Sequence, residues 1–187
     1  MKLYIKNMVC SRCVMVVQTE LEKLGLQPLD IQLGEVQLEE VEAQKISLEV
    51  IEAALNKFGF ELLTDKKKQL TEQIKTAIIE LVHYPTETLK INLSDYLRAH
   101  LHMEYAHLST VFSETEHNTI EKFFIQQKIE KVKELLTYGE QSLSEIAYLL
   151  HYSSVAHLST QFKKVCGVTP SDYKLNQHTV RKPLDEI

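Results

Sequence analysis

The sequence predicts two domains: an α+β domain of strand–helix–strand–strand–helix–strand order over residues 1–64, and an all-α domain over 65–187. Three observations carry that prediction. Short alternating runs flank amphipathic segments in the first third of the chain. Helical periodicity then runs nearly unbroken from Asp65. Within that helical part the sequence repeats itself at an offset of fifty residues.

Lys2-Leu3-Tyr4-Ile5-Lys6 alternates as a half-buried strand does. Val14, Val17, Leu21 and Leu24 recur at helical spacing and stop at Gly25, a residue suited to a helix C-terminus. Residues 29–33 and 36–38 alternate again around Gly34, which reads as a hairpin. Ser47 then opens a second helix, with Glu49 in its first turn and Val50, Ile51, Ala54, Leu55 and Phe58 as its apolar face. Gly59 ends that helix, and residues 60–64 give a last strand. The charged run Asp65-Lys66-Lys67-Lys68 reads as the solvated first turn of the next helix, whose stripe is Leu70, Ile74, Ile78, Leu81 and Val82.

The totals exclude several classes of function. With 44% hydrophobic and 25% charged residues, the chain has the composition of an ordinary globular protein. No apolar stretch is long enough to span a bilayer. Met1 to Met15 lacks the apolar core and cleavage site of a signal peptide, so a cytoplasmic protein without membrane association is expected. No glycine-rich phosphate loop, H-E-x-x-H or nucleophile elbow is present, which argues against an enzyme. The net charge of −5 counts against a polyanion partner. Residues 1–64 carry six basic and ten acidic residues, and 92–187 carry ten and twelve, so over half of the deficit lies outside the repeats.

Leu93-Ser94-Asp95 matches Leu143-Ser144-Glu145, and Ala106-His107-Leu108-Ser109-Thr110 matches Ala156-His157-Leu158-Ser159-Thr160. Phe112 matches Phe162 in the same frame. Each copy reads as a helix capped by Ser94 or Ser144, a turn, and a second helix anchored by Leu and Phe four apart. That is the arrangement in which one helix braces and the next offers a face to the major groove of DNA. In the second copy Leu158, Phe162 and Val165 are expected inside, with Ala156, Ser159, Thr160 and Lys163 outside. Small side chains admit close approach to bases, and hydroxyls donate to or accept from base edges. Between the copies, residues 120–138 predict a helix of roughly 28 Å at about 1.5 Å per residue. Successive major-groove faces lie about 34 Å apart, so such a rod suits two reading helices in one chain.

Residues 143–173, and most specifically Phe162-Lys163-Lys164 and Gly167-Val168-Thr169-Pro170, resemble the signature of the AraC/XylS family of bacterial transcription activators. The resemblance covers about 66–175 and implies seven helices with two DNA-reading motifs. It implies operator DNA as partner, and leaves contact with RNA polymerase and dimerisation open. On this reading the DNA-facing residues are Ala106, His107, Ser109, Thr110, Ala156, His157, Ser159, Thr160, Lys163 and Lys164. The first copy departs from the pattern. It has Phe112-Ser113-Glu114-Thr115-Glu116 where the family usually carries lysines, and His117 where it carries glycine.

Cys10 and Cys13 form a C-x-x-C between the first strand and first helix. Cys13 is expected in the first helical turn, where the helix dipole and Arg12 lower a thiol pKa. Two thiolates without further ligands suit Cu(I) or another thiophilic ion better than zinc, which prefers four ligands. Met8-x-Cys10-x-x-Cys13, with the segment Ser47 to Leu55 and Gly59-Phe60, resembles the ferredoxin-like heavy-metal-associated domains of copper chaperones and transport ATPases. Bacterial copper-binding members often carry Tyr where Phe60 stands. Two alternatives stay open: a thiol redox switch, and a metal-trafficking or docking protein whose helical domain binds a protein partner. His100, His102 and His107 are explained by the helix-turn-helix turn, and Cys166 reads as an inert, partly buried thiol.

Overall fold

The computed structural model describes residues 1–43, 46–84 and 92–175, together with Leu184. Strand β1 (Lys2–Lys6) places Leu3 and Ile5 inward, 4% and 0% exposed. It pairs antiparallel with β3 (Glu35–Gln37), Leu3 opposite Val36, and with β4 (Glu61–Leu63), Ile5 opposite Leu62. Strand β2 (Asp30–Gln32) closes the hairpin on β3, giving the order β2-β3-β1-β4. Helix α1 (Ser11–Lys23) contributes Val17 and Leu21 to the core, and α3 (Leu48–Asn56) contributes Ile51 and Leu55. A four-residue helix, α2 (Glu40–Ala43), precedes α3 and is absent from the periodicity.

Two glycines have specific tasks here. Gly25 adopts φ +77 beyond α1. Its amide bonds to the Glu22 carbonyl at 2.9 Å, and the Leu26 amide bonds to that of Leu21 at 3.0 Å. These are the paired bonds of a Schellman cap, completed by the burial of Leu21 and Leu26 together. Gly34 turns the hairpin at φ +74, where an added Cβ would stand 2.9 Å from Thr76 Oγ1. Backbone conformation and space therefore both require glycine. The apolar face of α3 is narrower than the sequence suggests. Val50 and Phe58 are 47% and 50% exposed, because Ile51, Ala54 and Leu55 already fill the contact with the sheet and α1.

Helix α4 (Lys66–His83) begins where the charged run predicts its first turn, with Asp65 Oδ1 accepting from the Lys68 amide at 2.9 Å. Beyond that turn it is buried on nearly every side, including Thr71, Glu72, Lys75 and Thr76. It is followed by α5 (Leu93–Leu101), α6 (Tyr105–Glu116), α7 (Ile120–Tyr138), α8 (Leu143–Leu149), α9 (Val155–Cys166) and α10 (Pro170–Leu175). The predicted bounds of α7 and the observed ones coincide.

Packing divides the chain into two compact units. One joins the sheet and its helices with α4 up to Ala77, α5 and α6; the other joins the remainder of α4, from Ile78, with α7 to α10. In the first unit, Leu97, Leu108 and Phe112 are fully buried. In the second, Ile129, Val132, Leu136, Ile146, Leu158, Phe162 and Tyr173 form one cluster.

Candidate nucleic-acid interface

Helix α8 is capped by Ser142, two residues before the expected Ser144. The Ser142 Oγ accepts from the Glu145 amide, and the Glu145 carboxylate accepts from the Ser142 amide, forming a complete capping box. The first copy repeats the shift. Asn92, not Ser94, caps α5 by accepting from the Asp95 amide at 2.9 Å. Asn92 and Ser142 are themselves fifty residues apart. The cap-to-acid spacing is the signal that identifies both, since each lies three residues before its acidic partner.

The turn after α8 runs through His151 at φ +53 and buries Tyr152, whose hydroxyl donates to Gln161 Oε1 of α9 at 2.7 Å. Lys128 of α7 lies with its ammonium 3.8 Å from the Tyr152 ring centroid. Burial pulls that ammonium down to about 8, while the ring face favours its charged form. The amide of His157 donates to Ser154 Oγ, which caps α9, and its Nδ1 faces Ser153 Oγ at 3.0 Å. Leu158 and Phe162 are 0% exposed, and Phe162 meets Tyr173 of α10 edge-on at 5.5 Å. This bracing fixes α9 about its axis.

The face left outside carries Ala156, His157, Thr160, Lys163 and Lys164, all exposed. Ser159 is half-buried at the flank. Val165, expected inside, is 43% exposed; Val155 and Cys166 pack against the core in its stead. Val165 stands in the last turn of α9, past the buried pair Leu158 and Phe162. Burial raises the Cys166 thiol pKa.

Helix α6 repeats this exposure: Ala106, His107 and Thr110 are exposed, and Ser109 is half-buried. Two details differ. Thr110 Oγ1 donates to the Ala106 carbonyl at 2.9 Å, which leaves its lone pairs for an incoming donor. Glu114, fifty residues before Lys164, is bonded to Lys67 of α4 at 2.7 Å. Glu116 faces Lys75 of α4 at 3.8 Å. Glu114 and Glu116 are thus engaged with α4, an arrangement that local sequence does not announce because the partners lie 47 and 41 positions away. His117 accepts the left-handed conformation, φ +51, that Gly167 takes in the second copy.

Where the loop after β1 enters α1, Cys10 Sγ and Cys13 Sγ lie 3.5 Å apart, both half-buried. The sequence assigns the lowered pKa to Cys13; the structure reverses the pair. Burial acts to raise Cys10, but the Cys13 amide and thiol, the Arg12 amide and the Arg12 guanidinium outweigh it, and Cys10 falls below the ordinary thiol value. Cys13 rises, first through burial and then through the neighbouring Cys10 sulfur. Met8, 1% exposed, belongs to the apolar core. Among the described residues no group of three or more His, Cys, Asp or Glu is placed to hold a metal ion. The donor set is therefore two thiols, which fits a soft ion satisfied by few ligands and not a four-coordinate one.

From this loop a line of polar contacts runs to α6. Cys13 Sγ faces the Asn7 carbonyl at 3.9 Å, and the Asn7 amide donates to Glu72 Oε1 at 3.1 Å. Glu72 pairs with Lys75 at 3.9 Å, and Lys75 reaches Glu116. Burial raises the Glu72 pKa, against the pull of Lys75 and the Asn7 amide.

Residues 97–176 match a family model described as a helix-turn-helix domain. Over 132 residues the chain is 28% identical to an uncharacterized HTH-type transcriptional regulator of Staphylococcus aureus, covering 57% of this chain and 18% of that protein. Over 101 residues it is 28% identical to the xylose operon regulatory protein of Haemophilus influenzae, covering 53% of this chain and 26% of that protein. A solved structure of the xylose-binding transcription activator xylR is 21% identical with a TM-score of 0.43, covering 83% of this chain and 35% of that one. The chain spans about a quarter or less of the length of these curated relatives.

Proposed function

We propose that this chain is a sequence-specific DNA-binding transcription regulator of the AraC type, non-enzymatic, which reads duplex DNA through the exposed faces of α9 and α6. The observation that carries the reading is the repeated face of small residues and hydroxyls. Ala156, His157 and Thr160 are presented by a helix whose opposite side is locked by Leu158 and Phe162, and Ala106, His107 and Thr110 by its counterpart. Lys163 and Lys164 flank the α9 face at its C-terminal end, where phosphates are met. The succession α4 to α10, with two such motifs, supports the seven-helix arrangement that the AraC type implies. Relatives described as transcriptional regulators support DNA as the partner. Such a regulator works in the cytoplasm; among the described residues no helix is long and apolar enough to cross a membrane. Recruitment of RNA polymerase and dimerisation belong to the same reading without residues assigned to them.

Thr160→Ala tests it. Loss of a base-edge contact is expected to weaken binding to a selected operator by about 1–3 kcal/mol and to relax preference at one base pair. Binding to mixed-sequence duplex should change little. Equal losses on both would place Thr160 on the phosphates. Ser159, half-buried, should give the smaller effect of the two.

The reading extends to residues 1–64 as a ferredoxin-like, heavy-metal-associated domain, with 65–187 as the DNA-reading part. The strand order β2-β3-β1-β4, with α1 and α3 sharing one core with it, supports that assignment. Cys10 and Cys13, whose sulfurs lie 3.5 Å apart, would hold a thiophilic ion such as Cu(I) through their two thiolates. The Asn7–Glu72–Lys75–Glu116 line offers that event a physical route to α6, since a shift of the dithiol loop bears directly on a buried carboxylate.

A further inference from the structure

A negative charge on the DNA-reading helix of the first motif is an anomaly on the proposed reading. Glu114 occupies the position at which α9 presents Lys164, and Ser113 that of Lys163. A bare carboxylate there would repel the phosphates that the lysine attracts. The structure places a cation against it from another element. Lys67 Nζ of α4 lies 2.7 Å from Glu114 Oε2, with the two side chains 63% and 52% exposed. Both remain open to solvent, so the contact covers neither.

The setting of Lys67 is also unusual for α4 itself. It stands between Lys66 and Lys68 in the first helical turn, a turn without acidic residues, where three ammoniums oppose the helix dipole. Within the local sequence Asp65, at the cap, offsets them. Folding gains nothing from that placement, and an exposed ion pair such as Lys67–Glu114 contributes little to stability. An external polyanion would gain from it.

We propose that Lys67 is the phosphate-binding cation of the first motif, supplied from α4 in place of the missing lysine on α6. Glu114 is its positioning residue: the carboxylate holds the ammonium beside the reading helix and is screened by it. Lys66 and Lys68 add long-range attraction without fixed geometry. The assignment rests on the DNA-reading function proposed above, and deepens it by naming a contact that lies outside the helix-turn-helix repeat.

The test uses the full chain and sheared, mixed-sequence duplex DNA titrated over a salt series. Lys67→Ala is expected to weaken binding and to flatten the dependence of log affinity on log salt by about 0.9, the signature of one phosphate contact. Lys67→Arg should keep the slope. Glu114→Lys in the Lys67→Ala background, which puts a lysine on α6 itself at the position of Lys164 in α9, should restore the slope. Thermal midpoints of all three should stay close to that of the unaltered chain. If Lys67→Ala lowers the thermal midpoint markedly, and Glu114→Lys in that background does not restore the slope, the pair is a clamp and the assignment is overturned. An unchanged slope in Lys67→Ala overturns it as well. Failure of the unaltered chain to bind duplex at low salt would overturn the DNA reading itself, and this assignment with it.

Discussion

Phe162→Ala is expected to destabilise the second unit by about 3–5 kcal/mol, the range for truncating a fully buried aromatic side chain. Phe162 is 0% exposed and stands in the cluster formed by Ile129, Val132 and Leu136 of α7, Leu158 of α9 and Tyr173 of α10. Removing the ring deletes the edge-on contact with Tyr173 and leaves a cavity that three helices share. Collapse into it is restricted, because α9 is tied to the preceding turn by Tyr152 and Gln161. A loss of that size is a large part of the total stability of a small domain, typically about 5–15 kcal/mol. The midpoint of urea unfolding, followed by helical circular dichroism, measures it. A cost below about 1 kcal/mol would mean that the ring is not a core anchor. The reading face of α9 would then lack the support ascribed to it.

Replacement of both Cys10 and Cys13 by serine is expected to abolish Cu(I) binding while leaving the fold and basal DNA binding in place. The two sulfurs are the donors that fit a thiophilic ion; Cys10 is the cap residue of α1, and Cys13, in its first turn, packs half-buried against the core, where serine is close to cysteine in size. Serine preserves size and hydrogen bonding at Cys10, the α1 cap position, where hydroxyls are well tolerated. Competition with a chelator of known affinity should give one ion per unaltered chain and none in the double variant. Retention of a full equivalent by the double variant would place the ion elsewhere. Where the ion and DNA are coupled, linkage demands that each change the other's affinity by the same factor, and a coupling of about 1–3 kcal/mol corresponds to about 5–150-fold. Chelator competition repeated with and without operator therefore reads the coupling directly. Identical affinities would assign the dithiol to trafficking or docking.

The organisation of the chain is largely legible in the sequence because its signals are local. Alternation and helical spacing delimit the sheet-bearing part and the helical part, and the fifty-residue offset exposes the paired motifs down to the burial of Leu108, Phe112, Leu158 and Phe162. The bounds of α7 follow from periodicity alone. What periodicity misreads is the width of an apolar face: Val50, Phe58 and Val165 fit the pattern but stand outside, because contact with one neighbour buries only a stripe. The caps were recoverable in principle. Ser94 and Ser144 fit a cap, yet Asn92 and Ser142 stand three residues before an acid and accept from its amide, and at Ser142 the acid returns the bond as a full capping box.

The parts of the candidate site that were not legible depend on tertiary proximity. Nothing local couples Glu114 with Lys67, Glu116 with Lys75, or the Asn7 amide with Glu72. The same holds for the thiols. Position in the helix favours Cys13 as the more acidic, whereas its deeper setting and its contact with Cys10 reverse the order. Compactness likewise groups α5 and α6 with the sheet, although their sequence repeat belongs with α8 and α9.

A reading face of this kind should make the chain discriminate among DNA sequences. The most direct measurement is selection of duplexes from a fragmented genome by the full chain, followed by titration of the best duplex and of a mixed-sequence duplex at one physiological salt concentration. The selected duplex is expected to bind at least about 10³-fold more tightly than the mixed one, the lower bound for specific regulators. Equal affinities for the two duplexes, or retention of neither, would contradict it.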